Sequence, residues 1–187
     1  MAYGSDQTTR RFLFNDVARY WRTMAVDFAY KQRTRPNEGF LLRTTKLRMS
    51  RKLLFLAGMT ACFECHTSIP EGRMEYYEGK PLQATIDRLR TVLSHPPLEI
   101  IASALLPLTE WDASIKKLFT AYDGFVGVLA DDAKRKHLDE LPVEEIEGDA
   151  IAAESRGLSH DFRDAIAELF LTKETELGRL TLEYGVF

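Results

Sequence analysis

The residues best equipped for chemistry lie in a few short stretches of this 187-residue chain. Arg90-Thr91-Val92-Leu93-Ser94-His95 sets an arginine and a histidine a little over one helical turn apart, at a helix end. Such a pair offers an imidazole to exchange a proton and a guanidinium to stabilise developing negative charge. The plainer reading is a capping histidine beside a surface arginine. Cys62-Phe63-Glu64-Cys65-His66 fits the C-x-x-C-H pattern of covalent haem attachment. There two thiols add to the vinyl groups and the histidine ligates iron. That motif closes a long apolar helix in a chain whose opening residues lack the order of a secretory leader, so both cysteines are read as small buried hydrophobes. Zinc would need a second ligand pair, and a redox dithiol needs a βαβ setting. No metal and no cofactor are expected.

Charge is the stronger signal. Residues 1–52 carry 12 Lys/Arg against 4 Asp/Glu, and the remainder carries 13 against 24. The basic residues cluster as Arg19 and Arg22 on a first helix, then Arg43, Lys46, Arg48, Arg51 and Lys52 on a second. Arg19 and Arg22 are three apart, as are Arg48 and Arg51, so each pair projects from one helix face. A hairpin of the two helices brings the pairs together as a cradle for phosphate, which arginine forks bind bidentately. The expected ligands are nucleotide or nucleic acid. The competing reading pairs these arginines with Asp16, Asp27 and the acidic C-terminal part, within the chain or across a homo-oligomer.

These side chains must be positioned by helices. Phe14, Val17, Tyr20, Trp21, Met24, Ala25 and Phe28 recur at three- and four-residue steps and predict a helix from Phe12 to Gln32. Breakers from Thr34 to Gly39 reverse the chain. A second helix from Phe40 to Cys65 is apolar almost all round in its second half, the mark of the most buried helix. Further helices are expected at 80–94, 98–106, 110–136 with kinks at Gly124 and Gly127, 161–170 capped by Ser159, and a last one ending near Tyr184. Residues 1–8 read as a flexible N-terminus and the acidic stretch 138–156 as a mobile loop. The expected fold is all-α: one domain, a helical bundle of about five to seven helices built on a long N-terminal antiparallel hairpin. No apolar run approaches the ~20 residues that span a bilayer, so no membrane association is expected and the cytoplasm is the expected compartment.

Two resemblances add to this. Asn15-Asp16-Val17-Ala18-Arg19-Tyr20-Trp21-Arg22-Thr23, Leu42-Arg43, Lys46 to Leu54 and the ending Leu177 to Phe187 resemble the helical region that follows the catalytic domain in bacterial nucleotidyltransferase-like proteins of the DNA polymerase β superfamily. The resemblance implies an accessory domain that is not catalytic alone. Its Arg19, Arg22, Arg48 and Arg51 would face the phosphate-bearing ligand or a partner nucleotidyltransferase catalytic domain. Gly4-Ser5 opens such active sites, but the carboxylates that hold two Mg²⁺ ions do not follow it here. The Arg90…His95 element resembles the R-x(4–6)-H element of HEPN-superfamily ribonucleases. It implies, as the alternative, a metal-independent ribonuclease or toxin with Arg90 and His95 catalytic. A structural dimeric interaction protein is the third reading.

Overall fold

A wide apolar stripe needs a second surface to bury it, and in the computed structural model of this chain that surface is another helix. The structure describes residues 6–35, 38–67 and 82–185, and all regular structure among them is helical. Helix α1 (Asp6–Thr34) lies antiparallel to α3 (Lys52–Thr67). Phe14 stacks on Phe63 with ring centres 5.7 Å apart, and Trp21 leans on Phe55 at 5.6 Å. Between them Val17 lies against Gly58, where an added Cβ would come within 3.1 Å of a valine methyl. The stripe therefore runs through residues 14, 17, 18, 21, 24, 25 and 28, and Tyr20 stands outside it at 57% exposure. Helix α1 begins at Asp6, so residues 6–8 of the expected flexible N-terminus are helical; residues 1–5 lie outside the described residues.

The expected second helix is present as three joined pieces: α2 (Phe40–Lys46), a π-helical turn (Leu47–Arg51) and α3. The π turn has a cause in the sequence. Leu41, Thr45, Met49 and Leu53 are all buried at strict four-residue steps, and an ideal α-helix rotates each such step by about 40°. One widened turn holds them in line. The second half of the run is the central helix, as its composition predicts, with Leu56, Ala57, Met59, Thr60, Ala61, Cys62 and Phe63 all buried.

Helices α4 (Leu82–Leu93) and α5 (Pro97–Leu105) pack on α3, and Pro97 occupies the first turn of α5, where its missing N–H does no harm. A 3₁₀ turn at Thr109–Trp111 precedes α6 (Asp112–Ala130). Helix α6 is continuous through Gly124 and Gly127. The break falls at Asp131, whose carboxylate accepts the N–H groups of Ala133 and Lys134 and starts α7 (Asp132–Glu140).

The stretch 138–156 is not a mobile loop. Leu138 and Leu141 are buried, Val143–Glu145 forms a 3₁₀ turn, and α8 (Ala150–Phe170) starts eleven residues before its expected beginning. Asp149 starts it by accepting the Ala152 N–H at 2.7 Å while also pairing with His137 Nε2 at 2.7 Å. Ser159, the expected cap, lies buried inside α8 and donates to the Ser155 carbonyl. Few large apolar residues were enough here because small ones pack closely. α8 lies antiparallel to α6, with Tyr122 against Phe162 at 5.8 Å and Gly124 against Leu158. Helix α9 (Glu176–Tyr184), capped by Thr175, closes the main core against α8 and α3. A smaller core of Leu41, Leu42, Val128, Leu138, Leu141 and Ala152 joins α2, α6, α7 and α8. No helix among the described residues is long and apolar enough to cross a membrane.

Candidate functional site

The antiparallel register of α1 and α3 decides where the basic residues go. Trp21 is level with Phe55, and Asp27 is close enough to feel the charge of Arg51. Eight residues of helix, about 12 Å, therefore separate Arg19 from the level of Arg51. Arg19 and Arg51 are thus set apart along the hairpin. Arg19 instead meets Asp16 at 3.4 Å on an exposed face, and Arg22 is exposed on the same helix. Arg43 turns to main chain, donating to the carbonyl of Arg35 at 2.8 Å and of Gly39 at 3.3 Å, so it ties the end of α1 to the start of α2. Lys46 and Arg51 are half-buried and Arg48 is exposed. The Asp27 carboxyl is held below the usual carboxylate range, chiefly by its hydrogen bond from Lys31 at 2.8 Å, with Arg51 adding to the effect.

Cations converge at the start of α3. Lys52, at the first position of α3 and half-buried, has its ammonium pushed below the usual lysine range by burial and by the neighbouring charges of Arg48 and Arg163. Arg163 comes from α8, over a hundred residues away. Nothing in its local sequence marks it, so only the packing of α8 against the π turn brings it to Arg48 and Lys52. Its guanidinium is held by Asp164 at 2.6 and 2.7 Å, and Asp164 is pulled below the carboxylate range first by Arg163 and then by Lys117 and His160. Lys52 has no carboxylate partner among the described residues. Three cations thus share one corner with one carboxylate beside them. No family model, curated protein or solved structure matches the chain. The site has to be read from its own chemistry.

The Arg90…His95 pair is also rearranged. Arg90 is turned to solvent at 76% exposure and meets Asp87 at 3.4 Å. Arg88, two residues earlier, lines a cavity of about 110 Å³ together with His95, Glu64 and Thr91. Helix geometry explains the exchange, since two residues turn a side chain by roughly 200°. Arg88 forms an ion pair with Glu64 of α3, while its Nε is buried with no hydrogen-bond partner among the described residues. His95 Nδ1 is 2.8 Å from Glu99 Oε1, so when the carboxylate accepts the Nδ1 proton, Nε2 is left as the basic nitrogen. Cys62 is buried in the main core; the side chains of Cys65 and His66 lie outside the described residues. Among the described residues no three His, Cys, Asp or Glu side chains gather closely enough to hold a metal ion.

Proposed function

We propose that this chain is a helical domain that binds phosphate-bearing ligands, nucleotide or nucleic acid, and is not catalytic alone. On this reading it serves a cytoplasmic nucleotidyltransferase whose catalytic carboxylates lie outside these residues. The supporting observation is the corner of Arg48, Lys52 and Arg163, where half-burial and like charges depress the lysine. Holding such charges together disfavours the unliganded state, and a phosphate group relieves it. The π turn that carries Arg48 adds weight, since such turns recur at functional sites.

Fluorescence anisotropy with a labelled single-stranded RNA tests the reading. Three phosphate contacts on a single strand give a slope of about −2 in log K against log salt. Lys52→Ala, Arg163→Ala or Arg48→Ala should each weaken binding and remove roughly 0.7 of that slope. Arg19→Ala should leave both nearly unchanged. Identical binding by the parent and the three corner variants removes the proposal.

A second reading has an observation of its own. Arg88 and His95 line one cavity and are separated by six residues, which still satisfies the R-x(4–6)-H spacing. Ribonuclease activity through this pair would use His95 Nε2 as general base and Arg88 as the charge stabiliser. An RNA cleavage assay in the presence of a chelator should then lose activity in His95→Ala and Arg88→Ala while Arg90→Ala retains it. Absence of cleavage by the parent chain ends this reading.

A further inference from the structure

The loop between α7 and α8 carries an acidic knuckle. Glu144, Glu145 and Glu147 are exposed in and just after its 3₁₀ turn, and none has an ion pair among the described residues. Arg156 of α8 fixes the knuckle by donating to the Ile146 carbonyl at 2.9 Å. Arg163 lies seven residues further along α8, which returns it to nearly the same face, two turns and about 10 Å away. The knuckle and the cationic corner thus sit along one edge of α8. Within one chain they do not meet: the knuckle lacks cations, and Arg48 and Lys52 lack a carboxylate among the described residues.

Two copies set edge to edge by a two-fold axis satisfy both groups. Such an axis places the same patch of each copy against the other, so a patch with one anionic and one cationic end is complementary to itself. Guanidinium forks take carboxylates as they take phosphates, through paired hydrogen bonds. The net charge of −3 is small, so repulsion between whole molecules opposes the contact little.

We propose that a second copy of this chain docks on this edge, its Glu144, Glu145 and Glu147 against Arg48, Lys52 and Arg163, and the reverse. The contact is charged and confined to the surface, which makes it weak and dependent on concentration. A regulatory consequence rests on the phosphate reading given above: the second copy and a phosphate-bearing ligand compete for the corner, which is covered when copies crowd and open when they are dilute.

Sedimentation equilibrium of the full chain tests the contact. At low salt the average mass should rise from one chain toward two as concentration increases. Roughly 1 M salt, where charges are screened within about 3 Å, should return it to one. Reversing the knuckle (Glu144→Lys, Glu145→Lys and Glu147→Lys together) should leave a monomer at every concentration, as should reversing the corner (Arg48→Glu with Arg163→Glu). Mixed in equal amounts, these two variants should form a heterodimer, because both contacts again join opposite charges. A control carrying Glu110→Lys, Asp123→Lys and Glu174→Lys has the net charge of the knuckle variant. It should dimerise like the parent and fail to pair with the corner variant. A parent mass that stays at one chain, or at two whatever the salt, overturns the proposal, as does equal pairing by the control. The parent measurement needs no substitution, so it decides even where a variant does not fold. The phosphate reading is judged separately, by RNA anisotropy on the monomeric knuckle variant, whose corner is intact. Absence of RNA binding there removes that reading and leaves the dimer standing.

Discussion

Asp149 and Lys52 illustrate how one side chain can carry opposite electrostatic roles. Asp149 is held below the carboxylate range, first by the Ala152 N–H at the start of α8 and then by His137. Its folded-state value lies below the unfolded one, so its contribution is complete above the unfolded value of 3.8 and is lost as pH falls through the depressed one. Asp149→Ala should lower the melting temperature at neutral pH by a few degrees, about the loss of one helix cap. Differential scanning at descending pH should show the gap to the parent closing in strong acid. Lys52 behaves in the reverse sense. Its folded-state ammonium is disfavoured, so it weakens the fold throughout the range below its depressed value, and this relief comes only as pH rises toward the unfolded 10.5. Lys52→Met should therefore raise the melting temperature at low salt. Added inorganic phosphate should stabilise the parent and leave that variant nearly unmoved. A variant less stable than the parent would show that the lysine is satisfied within the fold.

At the scale of elements, the joins matter more than the helices. Gly39 begins α2 with φ of 58° and donates its N–H to the Asp139 carbonyl at 3.1 Å, linking α2 to α7. A side chain in that left-handed conformation costs about 1–2 kcal/mol. Gly178 is more restrictive, because an added Cβ would lie 1.8 Å from the Thr172 carbonyl oxygen, a main-chain atom that cannot swing away. Gly39→Ala should lose about 1–2 kcal/mol and Gly178→Ala about 3 kcal/mol, the upper part of the usual overpacking range. Urea unfolding measures both, and the order of the two is the discriminating result. The stretches that gave clear sequence signals at this scale were the long ones. The helix of residues 12–32 and the buried run from Phe40 were legible because periodicity accumulates over many turns. The break at Asp131 was not, since two glycines nearby looked like better breakers than one aspartate. The glycines matter for a different reason at Gly124, where the missing side chain lets α6 approach Leu158 of α8.

For the whole molecule, the smaller core is the test of how far packing reaches. Leu138 is 0% exposed and lies among Leu41, Leu42, Val128, Leu141 and Ala152, which come from three other helices and the loop after α7. Leu138→Ala should cost about 2–5 kcal/mol, whereas a residue in a mobile acidic loop would cost almost nothing. Unfolding followed by both circular dichroism and tryptophan fluorescence should remain one transition, because α8 belongs to both cores. A small effect, or two separated transitions, would mean that the α7 region is a detachable unit.

The sequence by itself determined the helical class and the surplus of cations in the first 52 residues. Those properties are local or cumulative along the chain, so periodicity and composition carry them. The tertiary structure alone decided which charges meet. It sent Arg43 to main-chain carbonyls, set Arg19 a helical stretch away from Arg51, put Arg88 in place of Arg90 beside His95, and brought Arg163 to Lys52. Side-chain encounters depend on helix register to within one residue, about 100° of rotation. Only the packing of one helix on another sets that angle.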